Sequence, residues 1–380
     1  MTDNQFWKEL LARLAVLSLL TCLGLPLAAR AERIEQRVPV AAGRELKVDL
    51  EAPGSITIRG TNGNLVVVVV ELEGRDATDT EVAVEPTRGG GARLTSRFAR
   101  HKEEYRSKLR IEVRVPRRFG VQLLSMGGSV GLEGLDGEFD GRTMSGDLEL
   151  TELSGKVDLK TMSGNIRVRL SKLDGSLTTL AGNVQFNGVE GGVEGKTMSG
   201  KVSGKATCAS HAIKIVSFGD LNIGDAPDGA DLKTMRGNVL VRSAAVFVKA
   251  FTGAGNIVID RIDGQIDARS ISGDIRVNME DGLRPGSHAA RLESQSGEVH
   301  LVVPANLAMD IDIKIVSTAS AGSSYRVHSD FPLKIEQSSE SGWFLSSPRL
   351  VVHATGRQGA ATHRIELRAV NGDVYLTRSR

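Results

Sequence analysis

Between residues 128 and 297, apolar and polar positions alternate in short runs, and the runs are punctuated by glycine. Glycines fall at 128, 146, 164, 182, 200, 219, 237, 255 and 273, so every step is 18 residues except one of 19. A tetrapeptide travels with them: Met-Ser-Gly-Asp at 144–147, Met-Ser-Gly-Asn at 162–165, Met-Ser-Gly-Lys at 198–201 and Ile-Ser-Gly-Asp at 271–274. A fixed period of this length marks a repeat architecture. Counted from the glycine, offset 2 holds Val130, Leu148, Ile166, Val184, Val202, Leu221, Val239, Ile257 and Ile275. Offset 4 is equally apolar from Leu132 to Val277, with Gly204 the one exception. Apolar residues two apart follow the alternation of a strand, not the turn of a helix. Each unit divides into two 9-residue halves, with apolar offsets 2, 4, 7 and 11, 13, 16. Every half therefore reads as a short strand and a tight turn. Two strands and two turns make one coil, and stacked coils superpose equal offsets about 4.8 Å apart. The pattern predicts an all-β fold, a parallel β-solenoid of the right-handed β-helix or β-roll kind with 18 residues per coil.

The flanks have a different texture. Residues 32–127 carry longer alternating runs, with turn chemistry at Pro53-Gly54, Asn62-Gly63 and Gly89-Gly90-Gly91. Five consecutive valines, Val66 to Val70, suggest a strand buried on both faces. Residues 100–106 are charged and read as a solvated hairpin tip. This region is expected to be a β-cap, because an open solenoid end would template aggregation. After Gly273 the period breaks: the next glycine of the series, Gly297, comes 24 residues later, with residues 281–288 as an inserted loop. The expected organisation is a leader at 1–31, a cap at 32–127, repeats at 128–302, and a terminal coil with a closing cap at 303–380.

Composition agrees with many tight turns: 43 glycines and 4% aromatics. Lys8 and Arg13 precede an apolar run over 14–29, and Ala29-Arg30-Ala31 offers a small-x-small cleavage site, the signature of a secretory signal peptide. Two other readings of this segment are an uncleaved anchor and, at Leu19-Leu20-Thr21-Cys22, a lipoprotein box. The run is shorter than a comfortable span of about 20 residues and contains Pro26. Cleavage would remove Lys8, Arg13 and Arg30 with Asp3 and Glu9, leaving 45 basic against 44 acidic residues. No global field would then recruit nucleic acid or a membrane surface. Only Cys208 would remain, so no intramolecular disulfide is expected. The address is export: periplasm, cell envelope or medium, with no transmembrane segment after cleavage.

Gly54-Ser55-Ile56-Thr57-Ile58-Arg59-Gly60, the serial Thr-Met-Ser-Gly-Asp/Asn units and the closing Asn371-Gly372-Asp373-Val374 together resemble the bacterial putative-adhesin family, a domain of unknown function. The resemblance spans nearly the whole chain after the leader. It implies a parallel β-solenoid that is exported or envelope-associated, and it brings no catalytic residues.

A solenoid would turn offsets into columns. Offset 16 stacks Met144, Met162, Leu180, Met198, Val216, Met235 and Ile271, which suits a core corner better than a methionine ladder for Cu(I). Offset 15 stacks Thr143, Thr161, Thr179, Thr197, Thr234, Thr252 and Ser270, interrupted by Ile215; a hydroxyl ladder steadying the turn is expected, rather than an ice-binding face. Offset 1 carries Asp147, Asn165, Asn183, Asp220, Asn238, Asn256 and Asp274. Calcium-binding β-rolls also use 9-residue units, but their Gly-Gly-x-Gly-x-Asp pattern does not repeat here, so ordinary Asx turn chemistry is expected and no metal. Offset 12 gives Asp140, Asp158, Glu194, Asp231 and Asp267, and offset 14 gives Arg142, Lys160, Lys196, Lys214, Lys233 and Arg269. Side by side, these columns should cancel within a Debye length of about 8 Å.

Enzyme signatures are thin. Residues 190–197 graze a P-loop without its first glycine, and residues 127–131 match Gly-x-Ser-x-Gly without the strand-to-helix context of a nucleophile elbow. A hexapeptide acyltransferase would need apolar residues every six, a phase these offsets refuse. The sequence therefore points to a non-catalytic surface-interaction module without cofactor, whose partner is a polysaccharide or protein of the envelope. Lys160, Lys196 and Lys233 form its candidate binding face. Two alternatives stand beside it. One is a pectin-lyase-like carbohydrate-active enzyme, for which the inserted loop offers only Asp281, Arg284 and His288. The other is an envelope-stress sensing module.

Overall fold

The computed structural model describes residues 32–74, 79–98, 107–205, 212–280, 288–318, 325–340, 349–360 and 362–379. The expected leader, the 100–106 tip, Cys208, Asp281 and Arg284 lie outside these residues. The described chain is all-β, with thirty strands and no helix among the described residues.

Two parallel ladders run through the molecule. The first contains Val130–Glu133, Leu148–Thr151, the leading part of Ile166–Ala181, Val184–Glu190, Val202–Lys205 and Leu221–Ala226. It continues through the leading parts of Val239–Ala254 and Ile257–Ser272 to Ile275–Met279, Val299–Val303 and Val374–Arg378. The second contains Gly120–Ser125, Asp136–Ser145, Ser154–Ser163, the trailing part of Ile166–Ala181, Val193–Ser199, Ile213–Ser217 and Ala230–Thr234. It passes the trailing parts of the same two long strands to Ala290–Ser294, His363–Val370 and Met309–Thr318. Partners in the regular part are 18 residues apart, as in Leu148 with Ile166 and Val157 with Gly175.

Alternation decides which residues meet inside. The offset-2 column from Val130 to Ile275 is no more than 1% exposed throughout, and Val299 and Val374 extend it. Gly204, the one gap at offset 4, has a physical reason. The Phe186 ring leans over it, and a Cβ on Gly195 would stand 2.7 Å from Phe186 Cε2. One large side chain thus fills the space of three positions, which preserves core density.

The ends are made by excursions of the chain. Parallel pairing begins in the N-terminal region, where Gly54–Thr61 stacks on Val130–Glu133 and Glu45–Leu50 on Gly120–Ser125. Between them the chain leaves to lay down Leu65–Gly74, which lies between Glu32–Pro39 and Ser107–Pro116, antiparallel to both. Val66, Val68, Val69 and Val70 are buried there, while Val67 is only half-buried, so the valine run is close to the two-faced burial expected of it. At the other end Arg349–Gln358 pairs antiparallel with both Met309–Thr318 and Lys334–Glu340. Antiparallel strands close what the parallel ladders leave open.

Successive repeats approach most closely at the repeating glycine. A Cβ on Gly146, Gly164, Gly182, Gly200, Gly255, Gly273 or Gly297 would run into the carbonyl oxygen of the preceding glycine in the column. Gly54 lies beneath Gly128 in the same way, and Gly297 beneath Gly372. Gly182 also sits at φ 151°, a conformation nearly reserved for glycine. Gly182→Ala should therefore destabilise by more than the roughly 1–3 kcal/mol of backbone strain alone. Gly63→Ala, whose nearest neighbour would be 3.8 Å away, should stay within about 0.5 kcal/mol of wild type. Denaturant titration of both variants checks this, and equal midpoints would refute the close-stacking account.

Candidate functional site

In Ser154–Ser163 the side chains of Val157, Leu159 and Thr161 point inward, and those of Asp158, Lys160 and Met162 outward. Repeated coil by coil, this makes three outer columns on the second ladder. The first reads Asp140, Asp158, Ser176, Glu194, Lys214, Asp231, Lys249, Asp267, Arg291, Glu366. The second reads Arg142, Lys160, Thr178, Lys196, Val216, Lys233, Phe251, Arg269, Glu293, Arg368.

The columns differ from simple counting at one place. Around the 19-residue step, Thr197 pairs with Ser217 and Glu194 with Lys214. Ser217, not Ile215, fills the hydroxyl column, and Lys214 belongs to the acidic column rather than the basic one. Lys214 is positive in either column, so the exchange leaves the total charge of the face unchanged. From Glu194 onward the two columns hold Glu194, Asp231, Asp267, Glu293 and Glu366 against Lys196, Lys214, Lys233, Lys249, Arg269, Arg291 and Arg368. The first half of the face is balanced; this second half carries a surplus of cations.

Lys160, Lys196 and Lys233 lie on this face, each two coils from the next. Their ammonium groups reach Asp158 at 3.0 Å, Glu194 at 2.8 Å and Asp231 at 3.9 Å. All three are substantially exposed, so each pair contributes under about 1 kcal/mol and exchanges easily. Burial pushes the Asp158 carboxyl up, but hydrogen bonds from Lys160 and the Ser176 hydroxyl, with the charges of Lys160 and Arg142, outweigh it. The net effect holds Asp158 below the ordinary aspartate range. On the cation-rich half, an open depression of about 500 Å³ is lined by Phe247, Lys249, Gln265, Asp267, Arg291, Arg364 and Glu366. Arg364 holds Glu366 at 2.6 Å, and Lys249 Nζ stands 5.9 Å from the Phe247 ring centre. Lys249 falls on offset 12, where the acidic column has its place, and Arg291 and Arg364 lie beyond the regular repeat, so the basic offset did not bring them together.

The third outer column overturns an expectation. Met144, Met162, Leu180, Met198, Met235 and Ile271 form no core corner: they are 39–56% exposed. Phe218, not Val216, takes the place between Met198 and Met235, because the register shift carries it there. The last inward position before the turn is the hydroxyl one, and alternation sends the next side chain out.

The hydroxyl column is as expected and is buried. Thr179, Thr197, Thr234, Thr252 and Ser270 donate to the carbonyls of Gly164, Gly182, Gly219, Gly237 and Gly255 at 2.8–3.0 Å. In the Asx column, Asp147 Oδ1 accepts the Asn165 amide at 2.8 Å, Asn165 the Asn183 amide at 3.0 Å, and Asn256 the Asp274 amide at 2.8 Å. Those oxygens serve the next coil's backbone. Of the inserted loop's candidates, His288 is described and buried, with Nε2 3.0 Å from Asp263 Oδ1 and its ring edge-on to His363 at 5.1 Å. It ties the loop's end to the coil beneath.

The family model described as Toastrack DUF4097 matches residues 182–377. Among solved structures, a putative cell adhesion protein from Clostridium sporogenes is similar at 9% identity and TM-score 0.22, over 92% of this chain and 100% of that one. A putative adhesin from Parabacteroides distasonis is similar at 14% identity and TM-score 0.32, over 72% and 98%. A putative adhesin from Bacteroides fragilis is similar at 12% identity and TM-score 0.21, over 92% and 97%. No curated protein matches the chain.

Two outcomes follow from the columns. A chelator should leave the melting temperature unchanged, and a calcium-dependent rise would return the Asx column to metal binding. The second concerns acid. Burial also pushes Asp147 up, and it too is held low on balance by the Asn165 amide and Arg167. A depressed folded-state value contributes stability above the ordinary aspartate range, and that stability is lost as pH falls through the folded value. The melting temperature should drop steeply below about pH 4, and less steeply in Asp147→Asn.

Proposed function

The chain belongs to the Toastrack DUF4097 family, and from that premise we propose that it is an exported, non-catalytic, adhesin-like protein of the cell envelope or cell surface. In this reading the two ladders wind as successive coils of a right-handed β-solenoid, capped over 32–127 and 303–380, and the leader is removed. Its partner is an acidic polysaccharide laid along the outer face of the second ladder.

The surplus of cations from Lys196 to Arg368 carries the reading. Basic residues recur in register there, so an extended ligand with anionic groups at intervals meets the same chemistry repeatedly. Lys160, Lys196 and Lys233 stand two coils apart, roughly 10 Å by the strand spacing, and suit a polymer with one acidic group per few sugars. Each lysine exchanges a weak surface partner for a ligand anion at little cost. Multiple modest contacts along one chain then add as avidity.

Replacing Lys160, Lys196 and Lys233 together by Gln should weaken binding to acidic glycans at least ten-fold on a glycan array, with no effect on melting. Lys233→Gln should cost more than Lys160→Gln, because Lys160 lies on the balanced half. Unaltered glycan binding in the triple variant would reject this face. Steady depolymerisation of a polysaccharide by the pure protein would reject the non-catalytic reading.

A further inference from the structure

Large apolar side chains left in solvent are concentrated in one place. Of fourteen exposed large hydrophobic residues among those described, eight occupy a single column: Met126, Met144, Met162, Leu180, Met198, Phe218, Met235 and Ile271. Register carries the column without a break, since the flanking pairs run from Ser125 with Thr143 through to Thr252 with Ser270. Only Gly253 interrupts it. The result is a straight stripe one side chain wide and nine coils long, about 38 Å at the strand spacing. A contiguous exposed apolar patch of this kind marks an interaction surface.

We propose that the stripe is where a second copy of this chain docks, side by side and parallel, about a twofold axis that runs along the ladders. Three observations select this occupant. The first is period. Another copy presents the same side chains at the same spacing over the same length, so every level of the stripe except that of Gly253 finds an apolar mate. An isologous contact of this kind closes as a dimer.

The second observation is charge. On one side of the stripe run Arg142, Lys160, Lys196, Lys233 and Arg269; on the other run Asp147, Asn165, Lys201, Asn238 and Asp274. A twofold along the ladders sets Arg142 and Arg269 opposite the partner's Asp147 and the partner's Asp274. It sets Lys160 and Lys233 opposite the partner's Asn165 and the partner's Asn238. One level is unfavourable, Lys196 against the partner's Lys201. A twofold across the ladders would instead face the cation column with itself along its whole length. The parallel arrangement is favoured.

The third observation is size. The stripe and its two flanking columns over nine coils supply between 20 and 30 residues, about the complement of a standard interface of roughly 800 Å² per partner. A lipid surface fits less well, because lysines beside the stripe already hold carboxylates, Lys160 with Asp158 and Lys196 with Glu194, and the other flank carries Asp147 and Asp274.

The inference goes beyond the glycan reading; dimer and glycan would compete for the Lys160, Lys196 and Lys233 column, but the two fail separately, because the stripe variants leave those lysines in place. Sedimentation velocity on the chain without residues 1–31, from 1 to about 200 μM, should show a concentration-dependent dimer. Met162→Glu with Met198→Glu, both solvent-facing, should raise the dimer dissociation constant at least ten-fold while the melting temperature of the dilute protein stays unchanged. Lys201→Glu should tighten the dimer several-fold by removing the one opposed level. With Cys208→Ser, Met126→Cys should form a disulfide-linked dimer on mild oxidation, and so should Ile271→Cys. A monomer at all concentrations, or a dimer indifferent to the glutamates, would overturn the proposal. Cross-linking only when Met126→Cys and Ile271→Cys proteins are mixed would overturn the parallel arrangement. Stripe-dependent co-sedimentation of a monomer with phosphatidylcholine–phosphatidylglycerol vesicles would assign the stripe to lipid instead.

Discussion

The close approach of one glycine to the carbonyl of the glycine a coil earlier is the contact on which the other features rest. It works only without a side chain, which is why the period is written in glycine. That same carbonyl receives a hydroxyl from the threonine column. One residue on, an Asx oxygen accepts the amide of the coil that follows. Three devices thus act within a few residues of each turn, and together they hold the strands on either side in register. Burial of the offset-2 and offset-4 columns then follows, because a register slip of one residue would send every one of those side chains to solvent.

Much of this was legible in the residues. Alternation at offsets 2 and 4 named the buried columns, and the glycine period named the 18-residue spacing of paired parallel strands. The Asx and threonine columns read as turn chemistry from their residue types, and they do hydrogen-bond at the turns. What counting missed lies at the 19-residue step. An extra residue does not say where it is absorbed, and here pairing resumes with Thr197 opposite Ser217. Lys214 consequently joins Glu194 and Asp231 instead of Lys196 and Lys233. The exchange leaves the total charge of the face unchanged; its surplus is Lys214 and Lys249, both standing in the acidic column.

The methionine column shows a different limit. Apolar letters beside a turn look like core, and alternation counted from the inward threonine would have sent them outward. Composition argued for one face and geometry for the other, and geometry decided. Phe186 is the converse case: no periodicity announces that one ring will cover Gly195 and Gly204. Such compensation lives between coils, where a single chain read in order has no signal.

The orientation of the ladders has a mechanical consequence. Strand Glu32–Pro39 lies at one end of the first ladder, and Val374–Arg378 lies near the other. Tension applied between residues 32 and 379 is therefore directed along the hydrogen bonds that join successive coils, not across them. Bonds loaded in that direction open as a zipper, one strand at a time, instead of resisting together in shear. Under load the molecule would pay out its length in small instalments, the behaviour of a tether that yields gradually rather than a rod that snaps.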